Sequence, residues 1–282
     1  MTWTTTRGLD AFEAAAGDFL RARPAEHTVL LSVVSSLRVL GVDAYGEDAP
    51  SFGWRRRRCG GPAAVDAAYV WTPPRPVLLS PMPDGAAADL ANVLAAARAG
   101  VPGVNAGRAA AEAFAAAWRR HGTVRTAARR RLHRLTELTP PDPAPPGAAR
   151  RATPADRELL RGWFAAFAED IGAAAPRDAR ALDDRIADGR CLLWEAGGRP
   201  VSMAGITRTL VGTARVAPVY TPPELRGRGY AGAVTAAVSQ AAKDSGAQEV
   251  LLFTDLANPT SNALYRRLGY RPVEDHLVLT FE

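Results

Sequence analysis

Val216-Ala-Pro-Val-Tyr-Thr-Pro-Pro-Glu-Leu-Arg-Gly-Arg-Gly-Tyr-Ala231 is the stretch on which the reading of this chain turns. An extended run ends at Thr221, a Pro-Pro turn follows, and an Arg/Gly-rich loop then opens a helix over residues 229–245. Gly227 and Gly229 let backbone come close to a ligand. The first N–H groups of the new helix have no partner within it, and the helix dipole adds positive potential there. Arg226 and Arg228 supply fixed charge suited to phosphate oxygens. The segment is therefore a candidate anion site. A P-loop would need Gly-Lys-Ser/Thr after the glycines, but Tyr230-Ala231 follows Gly229. A dinucleotide fold would place such glycines after the first strand of a parallel sheet. Here they follow an apparent antiparallel hairpin, residues 190–195 and 200–210 joined by Ala196-Gly197-Gly198.

Outward from this loop the pattern stays α/β (α+β). Downstream come an apolar strand at 249–254, a helix at 259–268 that begins at Asn258-Pro259 and ends at Gly269, and an alternating terminal strand at 276–281. Upstream lie a third strand at 214–220, a short helix at 181–188, and a helix over 153–171 carrying Leu159, Leu160, Trp163, Phe164 and Phe167. The run Thr139–Gly147, TPPDPAPPG, has five prolines that neither helix nor strand accommodates. It divides the chain into domains at 1–139 and 148–282 with a proline-rich linker at 140–147. The first half reads as helices at 9–21 and 26–39, strands at 51–57 and 67–82 (broken at Pro73-Pro74), a helix at 89–98, the strand-and-turn segment Val101–Gly107, a helix at 108–120 and an extended piece at 123–138.

Two motifs together carry a family resemblance. Arg226-Gly-Arg-Gly-Tyr-Ala231 matches the R/Q-x-x-G-x-G/A pyrophosphate signature, and Asn258 to Tyr270 matches an Asn followed by a helix ending Tyr-x-x-x-Gly-Phe/Tyr. The chain over 148–282 resembles the GNAT superfamily of N-acetyltransferases. That resemblance implies a mixed central sheet with a splayed strand pair flanked by helices, and acetyl-CoA as cosubstrate with no metal. It assigns donor binding to Val219, Tyr220, Thr221, Arg226, Gly227, Arg228, Gly229, Tyr230, Ala231, Asn258 and Asn262. Backbone amides at 219–221 would stabilise the oxyanion formed when a neutral amine attacks the thioester. Tyr265 would be the acid for the departing thiolate. Glu169 is the candidate base, with Asp170 and Glu224 as alternatives. The acceptor expected is a primary amine of a small molecule or peptide. Another acyl group, an O- or thiol acceptor, or a non-catalytic CoA-binding regulatory or scaffold module stays open. The first half has a similar element order without the motif, as a degenerate GNAT-like domain in tandem would; its nearest counterpart of the loop is Val101–Gly107.

Composition bounds the remainder. The formal net charge is +6 and the pI about 9.9, yet the basic residues are almost all Arg, with Lys243 the single lysine, and Ala is abundant. That points to a GC-rich bacterial genome rather than to a polyanionic partner. The Arg runs at 54–58 and 129–131 read as solvated faces, and nucleic acid is not expected as a partner. Cys59 and Cys191 form no metal or disulfide spacing, and His27, His121, His133 and His276 form no ligand pattern. The N-terminus lacks a signal-peptide pattern, and the apolar run 29–39 is too short to span a bilayer. A cytoplasmic protein without membrane association is expected, and a homo-oligomer is compatible with the sequence.

Overall fold

The computed structural model describes residues 3–57, 64–97, 99–172 and 179–282. Arg58 of the first Arg run, Cys59, and Arg98 at the end of the helix expected at 89–98 lie outside the described residues. In chain order the elements are β1 (Trp3–Thr6), α1 (Leu9–Arg21), α2 (Thr28–Leu40), β2 (Ser51–Arg57), β3 (Ala64–Trp71), β4 (Val77–Leu79), α3 (Ala86–Ala96), β5 (Gly103–Gly107), α4 (Arg108–Trp118), β6 (Val124–Leu135), β7 (Ala148–Arg151), α5 (Arg157–Asp170), α6 (Ala179–Ala187), β8 (Cys191–Ala196), β9 (Arg199–Ile206), β10 (Thr213–Tyr220), α7 (Tyr230–Asp244), β11 (Glu249–Asp255), α8 (Pro259–Arg267) and β12 (Tyr270–Phe281). Two compact units result. The first comprises Met1–Leu132, Asp255–Ala257 and Glu274–Glu282; the second comprises His133–Thr254 and Asn258–Val273. The terminal residues 274–282, which the sequence groups with the second half, thus belong to the first unit.

In the first unit β1, β2, β3 and β4 pair antiparallel, β4 runs parallel to β5, and β12 pairs antiparallel with β5 from Gly103↔Thr280 to Gly107↔His276. Both faces of β3 are covered. Ala68 and Val70 pack on Phe12, Leu20, Leu30 and Leu37 of α1 and α2. Ala67 and Tyr69 pack on Leu90 of α3 and Phe114 of α4. A strand buried on both faces reads as a continuous apolar run, which is why Ala67-Ala-Tyr-Val-Trp71 is legible as a strand. The edge strands β1 and β7, four residues each, carry no such mark in the sequence because they are short and mostly polar. Of the Arg run in β2, Arg55 turns inward and forms a fork with Asp66 at 3.0 Å through both Nε and Nη2.

His27 is fully buried in this unit, with Nδ1 donating to Leu20 O at 2.9 Å and Nε2 lacking a hydrogen-bond partner among the described residues. Burial lowers its pKa, and the Arg23 charge lowers it further; the Leu20 bond and the Glu26 and Glu274 charges oppose that in part. The unfolded chain takes up a proton near pH 6.5, the folded protein only at lower pH, so the unfolded state binds more protons between the two values. Stability should therefore fall as pH drops below about 6.5. Urea unfolding at pH 8 and pH 5.5 measures this, and His27→Leu should flatten the dependence; an equally steep loss in that variant would assign it to other groups.

The second unit orders β7-β8-β9-β10-β11, antiparallel except for the parallel β10–β11 pair. α7 packs over β8, β9 and β10 through Val234 and Val238, together with Val216, Val250, Leu252 and Tyr270. On the other face Leu160, Leu182 and Ile186 of α5 and α6 bury Cys191, Leu193, Met203 and Tyr220. The proline-rich stretch is fastened to this unit: Thr139 N donates to Leu268 O (3.1 Å) and Trp194 Nε1 to Pro146 O (3.0 Å). Carbonyls of a proline-rich strip still accept hydrogen bonds, so it can be held although it donates few. Among the described residues, no helix is long and apolar enough to cross a membrane.

Each unit contains a parallel strand pair bridged by a helix, β4–α3–β5 in the first and β10–α7–β11 in the second. By that topology the first unit's counterpart of the Arg/Gly loop is Ser80–Gly85, which precedes α3, and not Val101–Gly107, most of which forms β5 (Gly103–Gly107). Pro81 and Pro83 there have no N–H, and Asp84 stands where a cation would be needed to hold an anion. Gly85 keeps the left-handed N-cap conformation, φ +79°.

Candidate active site

The site begins with a defect in a strand. β10 holds its parallel register with β11 from Thr213↔Glu249 to Val216↔Leu252. Its register with β9 shifts between Val216 and Val219, around Pro218, before resuming at Val219↔Ala204 and Tyr220↔Met203. A bulge bends its strand, and no β10–β11 register continues past Val216 among the described residues. Val219, Tyr220 and Thr221 thus border the place where the strands part. They are anchored on the β9 side: Ser202 Oγ donates to Tyr220 O (3.0 Å) and shares a hydrogen bond with Thr221 Oγ1 (2.8 Å). Ser202, which has no signature in sequence, is fully buried.

The loop that follows is exposed from Arg226 to Gly229. Gly227 has φ +78° and Gly229, the N-cap of α7, has φ +83°. Side chains rarely adopt this region, so glycine is required for the turn. It leaves the N–H groups of Tyr230, Ala231 and Gly232, the first of α7, without partners inside the helix. Nothing lies within 4 Å of where a Cβ on Gly227 would sit. The unpartnered amides, the open space and the exposed Arg228 suit an anion. Arg226 is occupied within the protein. Its Nε donates to Thr221 O (3.0 Å), its Nη2 pairs with Asp170, and it lies 5.8 Å from the centre of the Tyr220 ring. Arg228 is held more loosely, its Nη2 donating to Glu224 O at 3.2 Å.

The third part is α8. Asn258 caps it, its side chain accepting from Ser261 N at 3.0 Å, and Pro259 occupies the first turn. Asn262 is drawn into a chain of bonds: its Nδ2 donates to Asn258 O (2.7 Å), its Oδ1 accepts from Thr254 Oγ1 (2.6 Å), and Thr254 meets Nε2 of the buried His133 at 3.0 Å. Because the Thr254 proton goes to Asn262, His133 must donate to Thr254. Both ends of the Asn262 amide are therefore used in fixing the start of α8. In sequence His133 stands isolated among arginines; only the fold places it under this helix.

Tyr265 sits one turn on. It packs on the same core as Val219 and Tyr230 and meets Tyr270 edge-on, with ring centres 6.1 Å apart. Burial pushes its pKa up to about 12. Its hydroxyl makes no hydrogen bond among the described residues. Tyr270 is also raised by burial, partly offset by its 2.7 Å bond to Ser239. Glu169 is exposed in the last turn of α5 and makes no hydrogen bond to the other site residues; its neighbour Asp170 is the carboxylate engaged there, with Arg226. Cys191 is buried, which raises its thiol pKa and keeps it protonated.

Comparison with known proteins agrees with this geometry. Residues 157–270 match the acetyltransferase (GNAT) family. No curated protein matches the chain by sequence. Among solved structures, a GCN5-related N-acetyltransferase from Sphaerobacter thermophilus aligns over 99% of this chain and 95% of its own, at 19% identity and a TM-score of 0.66. A GNAT-family acetyltransferase from Colwellia psychrerythraea aligns over 100% and 99%, at 12% identity and 0.61. A GCN5-related N-acetyltransferase from Kribbella flavida aligns over 89% and 95%, at 21% identity and 0.57. The Arg/Gly loop, the bulged strand and the capped helix with Tyr265 all fall inside the matched segment, and residues 157–270 are an acetyltransferase domain of the GNAT family in a chain that has the GNAT fold.

Proposed function

We propose that this protein is an acyl-CoA-dependent N-acyltransferase that moves acetyl from acetyl-CoA to a primary amine of a small molecule or peptide. The observation that carries the reading is the conjunction of three parts on one core: a strand bent away from its parallel partner, a left-handed glycine loop opening a helix directly after it, and Tyr265 without an internal hydrogen bond. When bound, acetyl-CoA supplies the acyl group as a thioester. Amides of Tyr230, Ala231 and Gly232, with Arg228, would hold its phosphates. The free edge of Val219–Thr221 would offer N–H donors to the acyl oxygen.

Tyr265 keeps its proton at neutral pH, and its O–H has no hydrogen-bond partner among the described residues. Complete transfer of that proton to a thiolate of cysteine-like basicity, pKa about 8.5, would run uphill by about 5 kcal/mol. Donation of a hydrogen bond to developing negative charge is therefore its role while it stays buried. The attacking amine must lose a proton, for which the acids at the end of α5 and Glu224 are available acceptors. The first unit, with prolines and Asp84 in its corresponding loop, serves as a structural and substrate-shaping half that does not bind CoA.

Incubation with acetyl-CoA and a panel of primary amines, followed by thiol release and product mass, tests the reading. Release of CoA coupled to an acceptor mass gain of one acetyl group is expected. CoA binding with no turnover on any amine would favour the alternative, a non-catalytic CoA-binding module.

A further inference from the structure

The Arg226 guanidinium has one edge to spare and two claims on it. Its Nε is committed to Thr221 O at the end of β10, which fixes the arginine at the junction of strand and loop. Its Nη2 is given to Asp170, the last residue of α5. Both members of this pair are about half exposed, 49% for the arginine and 44% for the aspartate, so water and solutes reach it and partners can exchange. Burial raises the pKa of the Tyr220 hydroxyl, the nearby Asp170 and Glu224 charges add to that, and Arg226 opposes it; the Tyr220 ring lies 6.0 Å from that of Trp163.

We infer that Asp170 is a positioning residue that competes with the donor for Arg226, so that filling the phosphate loop and releasing Asp170 are one event. The inference rests on the reading of residues 226–231 as the donor-phosphate loop. A planar guanidinium with Nε already bonded has its Nη groups left to offer. Asp170 already holds the Nη2 group, and its negative charge repels an arriving phosphate, so carboxylate and phosphate compete for the same cation. A pyrophosphate carries more charge and more acceptor oxygens than a single carboxylate, and takes the arginine when it arrives. Asp170 then stands uncompensated near Tyr220, an anionic group close to an aromatic ring, which suits an alkylammonium head. Donor and amine binding are thereby coupled, and the coupling runs through one side chain.

Calorimetric titration of the full chain with CoA at fixed ionic strength tests this without turnover. Asp170→Asn should bind CoA about two- to fivefold more tightly than wild type, the range set by an exposed ion pair. Asp170→Ser, which removes the charge with a different shape, should do the same, and Asp170→Glu should return wild-type affinity. A purely structural role for Asp170 would weaken binding, not tighten it. In an Arg226→Gln background the gain should vanish. Unchanged or weaker CoA binding by Asp170→Asn, or an equal gain without Arg226, overturns the inference. Wild-type protein that fails to bind CoA at all removes the donor-loop reading as well, so the two failures are told apart.

Discussion

Tyr265→Phe is expected to lower kcat about a hundredfold, the low end of the loss on removing one preorganised hydrogen-bond donor to developing charge, while the dissociation constant for CoA stays within about twofold of wild type. The substitution removes one oxygen and leaves the ring. The ring is what packs on the Val219–Tyr230 core and against Tyr270, so its packing survives. The hydroxyl has no hydrogen-bond partner among the described residues, so no internal bond is broken and unfolding by urea should shift little. A loss confined to turnover therefore reports on chemistry. Because burial pushes the phenol pKa up to about 12, its ionisation should cause no fall in the wild-type rate between neutral pH and the ordinary tyrosine range near pH 10. Equal kcat for wild type and Tyr265→Phe with a good acceptor would remove Tyr265 from the mechanism.

Gly269→Ala is expected to cost about 3 kcal/mol or more of stability, summed from left-handed strain and overpacking. Gly269 follows α8 at φ +98°, and a Cβ there would lie 1.7 Å from Glu137 O. Relief by backbone movement is blocked on both sides. Gly269 O accepts from Thr136 N (3.1 Å) and Thr136 Oγ1 (2.9 Å), and Gly269 N donates to Arg266 O (3.2 Å). Gly246 makes the control. It has a similar φ of +91° after α7, but nothing lies within 4 Å of its would-be Cβ. Gly246→Ala should cost only the conformational strain, about 1–2 kcal/mol. Urea unfolding of both variants separates strain from collision; equal losses would show that the Glu137 contact relaxes freely.

The contrast between these glycines separates local from long-range information. Both sit at helix ends in sequence, and both are legible as C-terminal glycines because only residues tolerant of positive φ close a helix in that way. That one of them is also jammed against Glu137 depends on residues more than a hundred positions away. The same division runs through the active site. Arg226–Ala231 is legible as a candidate anion loop because its chemistry is local: glycines, a helix start and two arginines within six residues. The cap at Asn258-Pro259 is legible for the same reason.

The use to which the arginines are put is not legible in this way. Arg226 is turned toward Asp170 by the meeting of α5 with the end of β10, and Asn262 is tied to Thr254 and His133 by the packing of α8 on β11 and β6. The bulge that bends β10 arises where a proline interrupts the pairing with β9, and its value lies in a partner, β11, that sequence does not place beside it. A Gly-rich segment before a helix resembles the motif, so sequence points to Val101–Gly107 as the counterpart loop of the first unit. Topology moves it to Ser80–Gly85, since the relevant feature is the parallel strand pair around it and not the glycines.

Local chemistry along the chain is enough for the Arg/Gly loop, the helix that carries Tyr265, and the α/β order of both halves, all of which follow from interactions within about one or two helical turns. Which arginine is spoken for, which carboxylate meets it, where the strands part, and that residues 274–282 complete the first unit's sheet emerge only when the chain is folded. Those depend on contacts between segments distant in the chain, and the hydrophobic burial that brings them together sets no mark on the polar residues it happens to align.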